Sequence, residues 1–407
     1  MIESLTAPLL VACSFLATWD LQGVEAPQAA RATWVFEKPG GEISRLPMDP
    51  SAEIDLAGLE ASFIRCEGLA APEVIEPFEF QAATLTLNNA DRVLGVPRGG
   101  SGDRLDFSLS VGASLTVNVD ACSSLVFSAR VGAERLAALG PPEQGDRLYW
   151  VTGGGLDPVE GTLEAFTAEG VRFDSLLGSR EFKWSEVAAL FIEALDPDGD
   201  PQTAAGRALV CDLSDGGRLR GSALSLGAAG CRLVIAGGHE VRLPLASVVE
   251  ILVDDGRVAF LSDRPPAEAV EGSPFDDDLG LRWPHRVDLS VTGKPLTVGG
   301  RVWRRGLGVH APSRLTWKLD GPWRELRGFV GIDDEVLTLP HRGAVDFRLR
   351  LDGREVWSSG TVRGGEGARE IPTLALGGAS TLTLEVDMDG QSFVADRADW
   401  LRILLVR

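Results

Sequence analysis

The sequence is poor in positive charge: 39 Lys and Arg face 59 Asp and Glu, for a formal net charge of −20. Nucleic-acid binding needs a basic face to neutralise phosphates, so this balance argues against it, and equally against docking on anionic lipid. It suits neutral partners and solubility. Cysteine is scarce too. The five cysteines (Cys13, Cys66, Cys122, Cys211, Cys231) contain no CxxC pair, which leaves zinc and thioredoxin-type chemistry unsupported. Setting Cys13 aside leaves an even number, which permits disulfides, although buried free thiols are the expected state. Long amphipathic helical stretches are missing, and with them the strand–helix alternation of an α/β enzyme. Nothing resembles GxSxG, HExxH or a phosphate-binding glycine loop. A glycosidase needs two carboxylates roughly 5–10 Å apart across a cleft, and no segment suggests a fold that would hold one. The chain is expected not to be an enzyme.

What is present is turn chemistry. The chain holds 48 Gly and 23 Pro, with short β-type runs between Gly, Asp and Pro turns, so the expected class is all-β. At 407 residues the chain suggests two to four domains. One pattern recurs. Residues 206–255 read strand, DG turn, strand, turn, strand, GG turn, strand, then "LPLASVVEILV". Residues 146–195 follow the same order, with "KWSEVAALFI" in the corresponding place, and a weaker copy runs over 83–129. Each copy is the size of a small five-stranded antiparallel barrel or meander, which buries little core alone and would stack on its neighbours. His239 falls in a turn of the last copy and reads as a solvated loop residue.

The expected layout is 1–25 as a signal peptide or lipoprotein anchor, 26–140 as an N-terminal β region, 141–200 and 201–262 as small β repeats, 263–280 as a linker, and 281–407 as a β-sandwich. The first segment has an apolar run from Leu5 to Ala17, too short to span a bilayer, and "LVAC" ending at Cys13 is similar to a lipobox. Against this, its start carries Glu3 and no Lys or Arg; a hydrophobic first strand is the competing reading. Export to the periplasm or cell surface is the expectation, with Cys13 as the one membrane tether.

Beyond residue 280 lie six of the ten tryptophans and three of the four histidines. Eight β-type runs separated by polar turns suit a two-sheet sandwich, and "RLRLDGREVWSS" is a hairpin with a DG turn. Aromatic enrichment serves either a packed core or stacking on sugars. The ordered motifs "RRGLGVHAPSRLTWKLDG", "LRGFVGIDDE", "GAVDFRLRLDGREVWSSG", "LTLEVDMDG" and "ADRADWLRILL" resemble the NPCBM type of carbohydrate-binding module, grouped with family-51 modules. That resemblance covers roughly residues 275–407. It implies a galactose-binding-like β-sandwich (jelly roll), a galactose-type glycan bound by loops at one end, and a structural calcium.

His310 matches the family's "GLGvH" histidine. The resemblance gives it a sugar hydroxyl to bond; elementary structure gives it a strand end to cap. Asp333 and Asp334 sit at a strand end where carboxylates bind sugar hydroxyls, ligate calcium or close turns. His341 and Arg342 occupy a loop and offer hydrogen bonds to hydroxyls. Trp303 and Trp357 are the expected exposed platforms, whereas Trp400 belongs to the core. Asp396 and Asp399 are the expected metal ligands. The competing function is structural: a sandwich without sugar affinity and β repeats that mediate protein–protein contacts.

Overall fold

A computed structural model describes residues 32–69, 81–136, 138–153, 155–193, 208–272, 283–389 and 393–407. The N-terminal segment with Cys13 lies outside them. The described chain is almost entirely antiparallel β.

Three five-stranded units follow one another at 83–126, 146–191 and 208–254. In each, the first four strands form a meander, and the fifth pairs back on the first. The first unit pairs Ala83–Leu87 with both Arg92–Ser101 and Cys122–Val126. The second pairs Asp146–Thr152 with Gly155–Phe166 and Val187–Phe191. The third pairs Ala208–Leu213 with Arg218–Gly227 and Val248–Asp254. The second strand is long every time, and its pairing with the third slips at one place: Pro97/Gly99, Leu163/Ala165 and Ala223/Ser225. Such a slip bends the strand and lets a short sheet curl over its own side chains. Pro97 fits there because a bulge frees it from donating to the ladder.

None of these units closes a core alone. Buried side chains from all three, among them Leu85, Phe107, Phe173, Leu190, Leu219 and Ile251, form one continuous cluster. The first and second units join through their fifth strands, Leu125 opposite Leu190. The third uses its fifth strand differently, setting Ile251 against Ile64 of Phe63–Glu67. That strand continues into Thr33–Glu37 and then Ile43–Pro47.

The C-terminal sandwich has two sheets. One contains, in order, Arg286–Val287, Gly306–His310, Arg397–Val406, Glu325–Ile332 and Arg369–Ala375, with Val258–Phe260 added along the far half of Arg397–Val406. The other runs Glu268–Glu271, Ser313–Lys318, Thr381–Met388, Ala344–Leu351 and Arg354–Arg363. Between them lies a core that includes Leu315, Trp317, Phe347 and Trp400, with Phe347 and Trp400 edge-to-face at 5.0 Å. The expected linker 263–280 is corrected over 263–272; its remainder lies outside the described residues. Glu268–Glu271 is a sheet strand paired with Ser313–Thr316, and the sandwich begins at Val258 rather than 281. The Pro- and Asp-rich composition hid a short edge strand, where polar side chains are tolerated.

The two halves share a buried seam. Phe63, Val210 and Leu252 meet Val258, Phe260, Leu404 and Val406. Above it Arg305, 3% exposed, bonds Asp212 at 3.1 Å and Asp263 at 2.6 Å. Arg402 reaches Glu250 at 2.8 Å and lies 4.3 Å over the Phe63 ring.

Candidate binding site

His310 ends its strand at one tip of the sandwich and is buried. Its Nδ1 lies 2.8 Å from the Ala311 carbonyl, which can only accept, so Nδ1 carries the proton. Burial holds the imidazole below its ordinary pKa, so the ring is neutral at pH 7. The remaining nitrogen, Nε2, is therefore an acceptor. Two aromatic rings flank the imidazole. Trp283 stacks on it at 5.3 Å with 18° between planes, and Phe393 tilts against it at 4.4 Å. Both rings are half-buried, as Trp357 is. Neither figured among the sequence expectations: they come from distant segments, and only the fold unites them.

The same tip gathers most of the other expected residues. Asp396 accepts from the Ala344 amide at 2.8 Å, and its backbone carbonyl accepts from the Ala311 amide at 3.0 Å. It thereby ties the loop after Arg342 to the strand end at His310. His341 and Arg342 lie on that loop with exposed side chains. Asp333 is joined to the start of the last strand, its amide donating to the Arg397 carbonyl at 3.0 Å.

The acidic residues serve the fold. Asp333 accepts from the amides of Thr297 at 2.9 Å and Glu335 at 2.8 Å. Asp334 accepts from Gly299 at 3.1 Å and Gly300 at 2.7 Å, so the two aspartates hold the Thr297–Arg301 hairpin in place. Glu335, missed in the sequence although it completes "GIDDE", accepts from Thr292 Oγ1 at 2.5 Å and pairs with Arg397 at 3.3 Å. Asp399 is fully buried; burial first, then the adjoining Asp333 carboxyl, pushes its pKa well above the usual carboxylate value. No donor reaches Asp399 Oδ2, which a proton shared with Asp333 would satisfy. Burial also raises Asp396, to about 6.

These observations bear on the expected calcium. Its ion needs six to eight oxygens, and among the described residues no group of three or more His, Cys, Asp or Glu is arranged to hold a metal. Asp396 Oδ2 and Asp399 Oδ2 are both buried without a hydrogen-bond partner.

The two tryptophans expected as platforms are corrected. Trp303 is only 6% exposed, packed on Phe329 at 5.0 Å with Leu296, Val298 and Leu401, and covered by Arg301 at 4.1 Å. The neighbouring arginines are committed elsewhere: Arg304 donates to the Ser214 carbonyl at 2.6 Å, and Arg305 to the seam. Trp357 is half-buried against the sandwich core and pairs with Leu349, well along its strand from the His310 tip.

Residues 257–406 match the model of the NPCBM/NEW2 domain. An alpha-1,3-galactosidase B of Akkermansia muciniphila is 35% identical over 121 residues, 28% of this chain and 14% of the relative. The chain thus aligns with a small part of that curated protein. Among solved structures, the CBM51 from Clostridium perfringens GH95 in complex with methyl-galactose is 24% identical, covering 37% of this chain and 99% of that one, with a TM-score of 0.32. The CBM51-2 and INT domains from Clostridium perfringens ZmpB are 18% identical, covering 44% and 36%, with a TM-score of 0.33. The C-terminal sandwich, residues 257–406, is an NPCBM/NEW2 domain.

Proposed function

We propose that this chain is a carbohydrate-binding protein that works without catalysis and takes galactose-type glycans at the His310 tip. The observation that carries the reading is the neutral imidazole between two half-buried aromatic rings. Such a group offers an acceptor, Nε2, to a sugar hydroxyl, while the flanking aromatic surface suits the C–H face of a pyranose. His341 and Arg342 add exposed donors on the adjoining loop. The galactosidase relative and the domain family support the sugar class. Hydrolysis finds little support here, because the carboxyls of Asp333, Asp396 and Asp399 are buried, and those of Asp333 and Asp396 accept from backbone amides. Export is part of the proposal, since such glycans lie outside the cell.

Titration calorimetry of the full chain against galactose-terminated and glucose-terminated oligosaccharides tests this. The expected result is heat with the galactose series, at least tenfold weaker for His310→Ala. A folded chain that gives no heat with either series overturns the reading.

A further inference from the structure

We propose that Cys211 and Cys231 form an intramolecular disulfide that staples the third β unit from inside, made as the chain folds in the presence of a disulfide oxidant. The two sulfurs lie 3.8 Å apart, and both residues are 0% exposed. The other described cysteines point elsewhere: the Cys122 thiol donates to the Asn118 carbonyl at 3.3 Å, and that of Cys66 to the Glu67 carbonyl at 3.9 Å.

The contact follows from how the unit curls. Cys211 stands opposite Leu219, near the start of the strand Arg218–Gly227, and Cys231 stands opposite Leu226, near its end. The two cysteine strands flank that long strand on either side. The slip at Ala223/Ser225 bends it and brings their inward side chains together. Burial alone favours free thiols; sulfur against sulfur is the added observation. A disulfide needs about 2.05 Å between sulfurs, so each has to move by less than about 1 Å.

The chemistry is thiol–disulfide exchange. One cysteine thiolate attacks a sulfur of the oxidant, a small-molecule or protein disulfide, and expels one half of it as a thiolate. The second cysteine thiolate then attacks the first cysteine's sulfur and expels the other half. Two protons and two electrons leave the pair, and the oxidant is reduced to two thiols. Compartments outside the cytosol supply such oxidants. In the closed fold this path is shut. No oxidant reaches fully buried sulfurs, and the hydrogen bond with Cys231, together with burial, holds the Cys211 thiol well above its ordinary pKa. The bond is therefore made before Val248–Asp254 seals against Ala208–Leu213, and it is protected afterwards.

Its effect reaches the seam. Successive side chains on a strand face opposite ways, so Val210 and Asp212 point away from Cys211, toward the sandwich. Val210 joins the cluster with Phe260, and Asp212 bonds Arg305. The staple thus braces, from behind, the strand on which the sandwich rests. None of this depends on the sugar reading, and no sugar enters its test.

The full chain, unfolded and reduced, is refolded with glutathione disulfide, its free thiols are alkylated, and trypsin digests it. Arg218 and Arg220 separate the two cysteines in sequence, so the bond alone joins peptide 208–218 to peptide 221–232. Mass spectrometry is expected to find that joined pair, and reductant should abolish it. Reducing the linked chain should lower its melting temperature by about 4 °C or more. Cys211→Ala/Cys231→Ala should show no such shift with reductant. Both thiols alkylated after refolding overturn the proposal. So does a link to Cys13, Cys66 or Cys122 in place of this one. A linked chain that melts no higher than the reduced one, or a shift that persists in the double variant, overturns it as well.

Discussion

The indole of Trp283 lies nearly parallel to the imidazole of His310, 5.3 Å from it, across a stretch of chain that shares no strand with both. The indole is half-buried, so it presents an edge of aromatic surface beside the imidazole. Trp283→Ala is expected to weaken glycan binding about tenfold or more while leaving the melting temperature within a few degrees. Calorimetric titration paired with a thermal melt separates the two effects. A large loss of stability with unchanged affinity would make Trp283 a packing residue.

Binding should follow the protonation of His310 with a defined sign. Burial depresses its pKa below the ordinary 6.5, so Nε2 keeps its lone pair throughout the neutral range. Affinity is expected to be flat from about pH 8 to about pH 6.5 and to fall only at lower pH, as Nε2 gains a proton and ceases to accept. A midpoint above 6.5 in titrations across this range would contradict the depression of its pKa by burial.

The carboxyls beneath the tip give stability the opposite dependence. Burial holds Asp399 and Asp333 above the usual carboxylate value and puts Asp396 at about 6. Their folded-state values exceed the unfolded ones, so this share of stability is complete below about pH 4 and drains as the pH rises through the folded values, past 6. Asp399→Asn removes the buried charge and is expected to stabilise the fold by about 1–3 kcal/mol at pH 8, with a flatter profile of melting temperature against pH. Melting curves from pH 4 to pH 8 check it, and an unchanged slope would show that Asp399 does not titrate there.

How much of this was legible in the sequence depended on range. The three units were visible because their hairpin turns and alternating strands are local signals, repeated in order. The motifs around His310 and "GIDDE" are local signals too, and the fold brings both to one end of the sandwich. Trp303 misled because its burial comes from the Thr297–Val302 hairpin folding onto Phe329, which no local pattern encodes. Trp283 and Phe393 went unremarked because their role exists only once three separate segments meet. The segment 263–280 was misread because a short edge strand needs no hydrophobic alternation, and Glu268–Glu271 has little.

The seam between the halves depends on a buried cation. Arg305→Ala would leave Asp212 and Asp263 to Arg218 alone, 2.6 Å and 3.8 Å away, at an expected cost of about 1–3 kcal/mol. Denaturant unfolding measures the loss, and limited proteolysis is expected to cut first near 255–257, between the third unit and Val258. A loss under about 1 kcal/mol would mean that the apolar seam suffices without the charges.

One strand, Arg397–Val406, begins beside His310 and ends in the seam with Leu404 and Val406. At about 3.3 Å per residue it spans up to roughly 33 Å, one strand, bulged at Arg402, with the His310 end and the anchor end built into the same ten residues. The binding tip therefore cannot swivel on a tether, as appended sugar-binding domains on flexible linkers do. Under the proposed sugar reading, a ligand held at that tip would fix the bearing of all three β units, so that occupancy at one end sets orientation at the other.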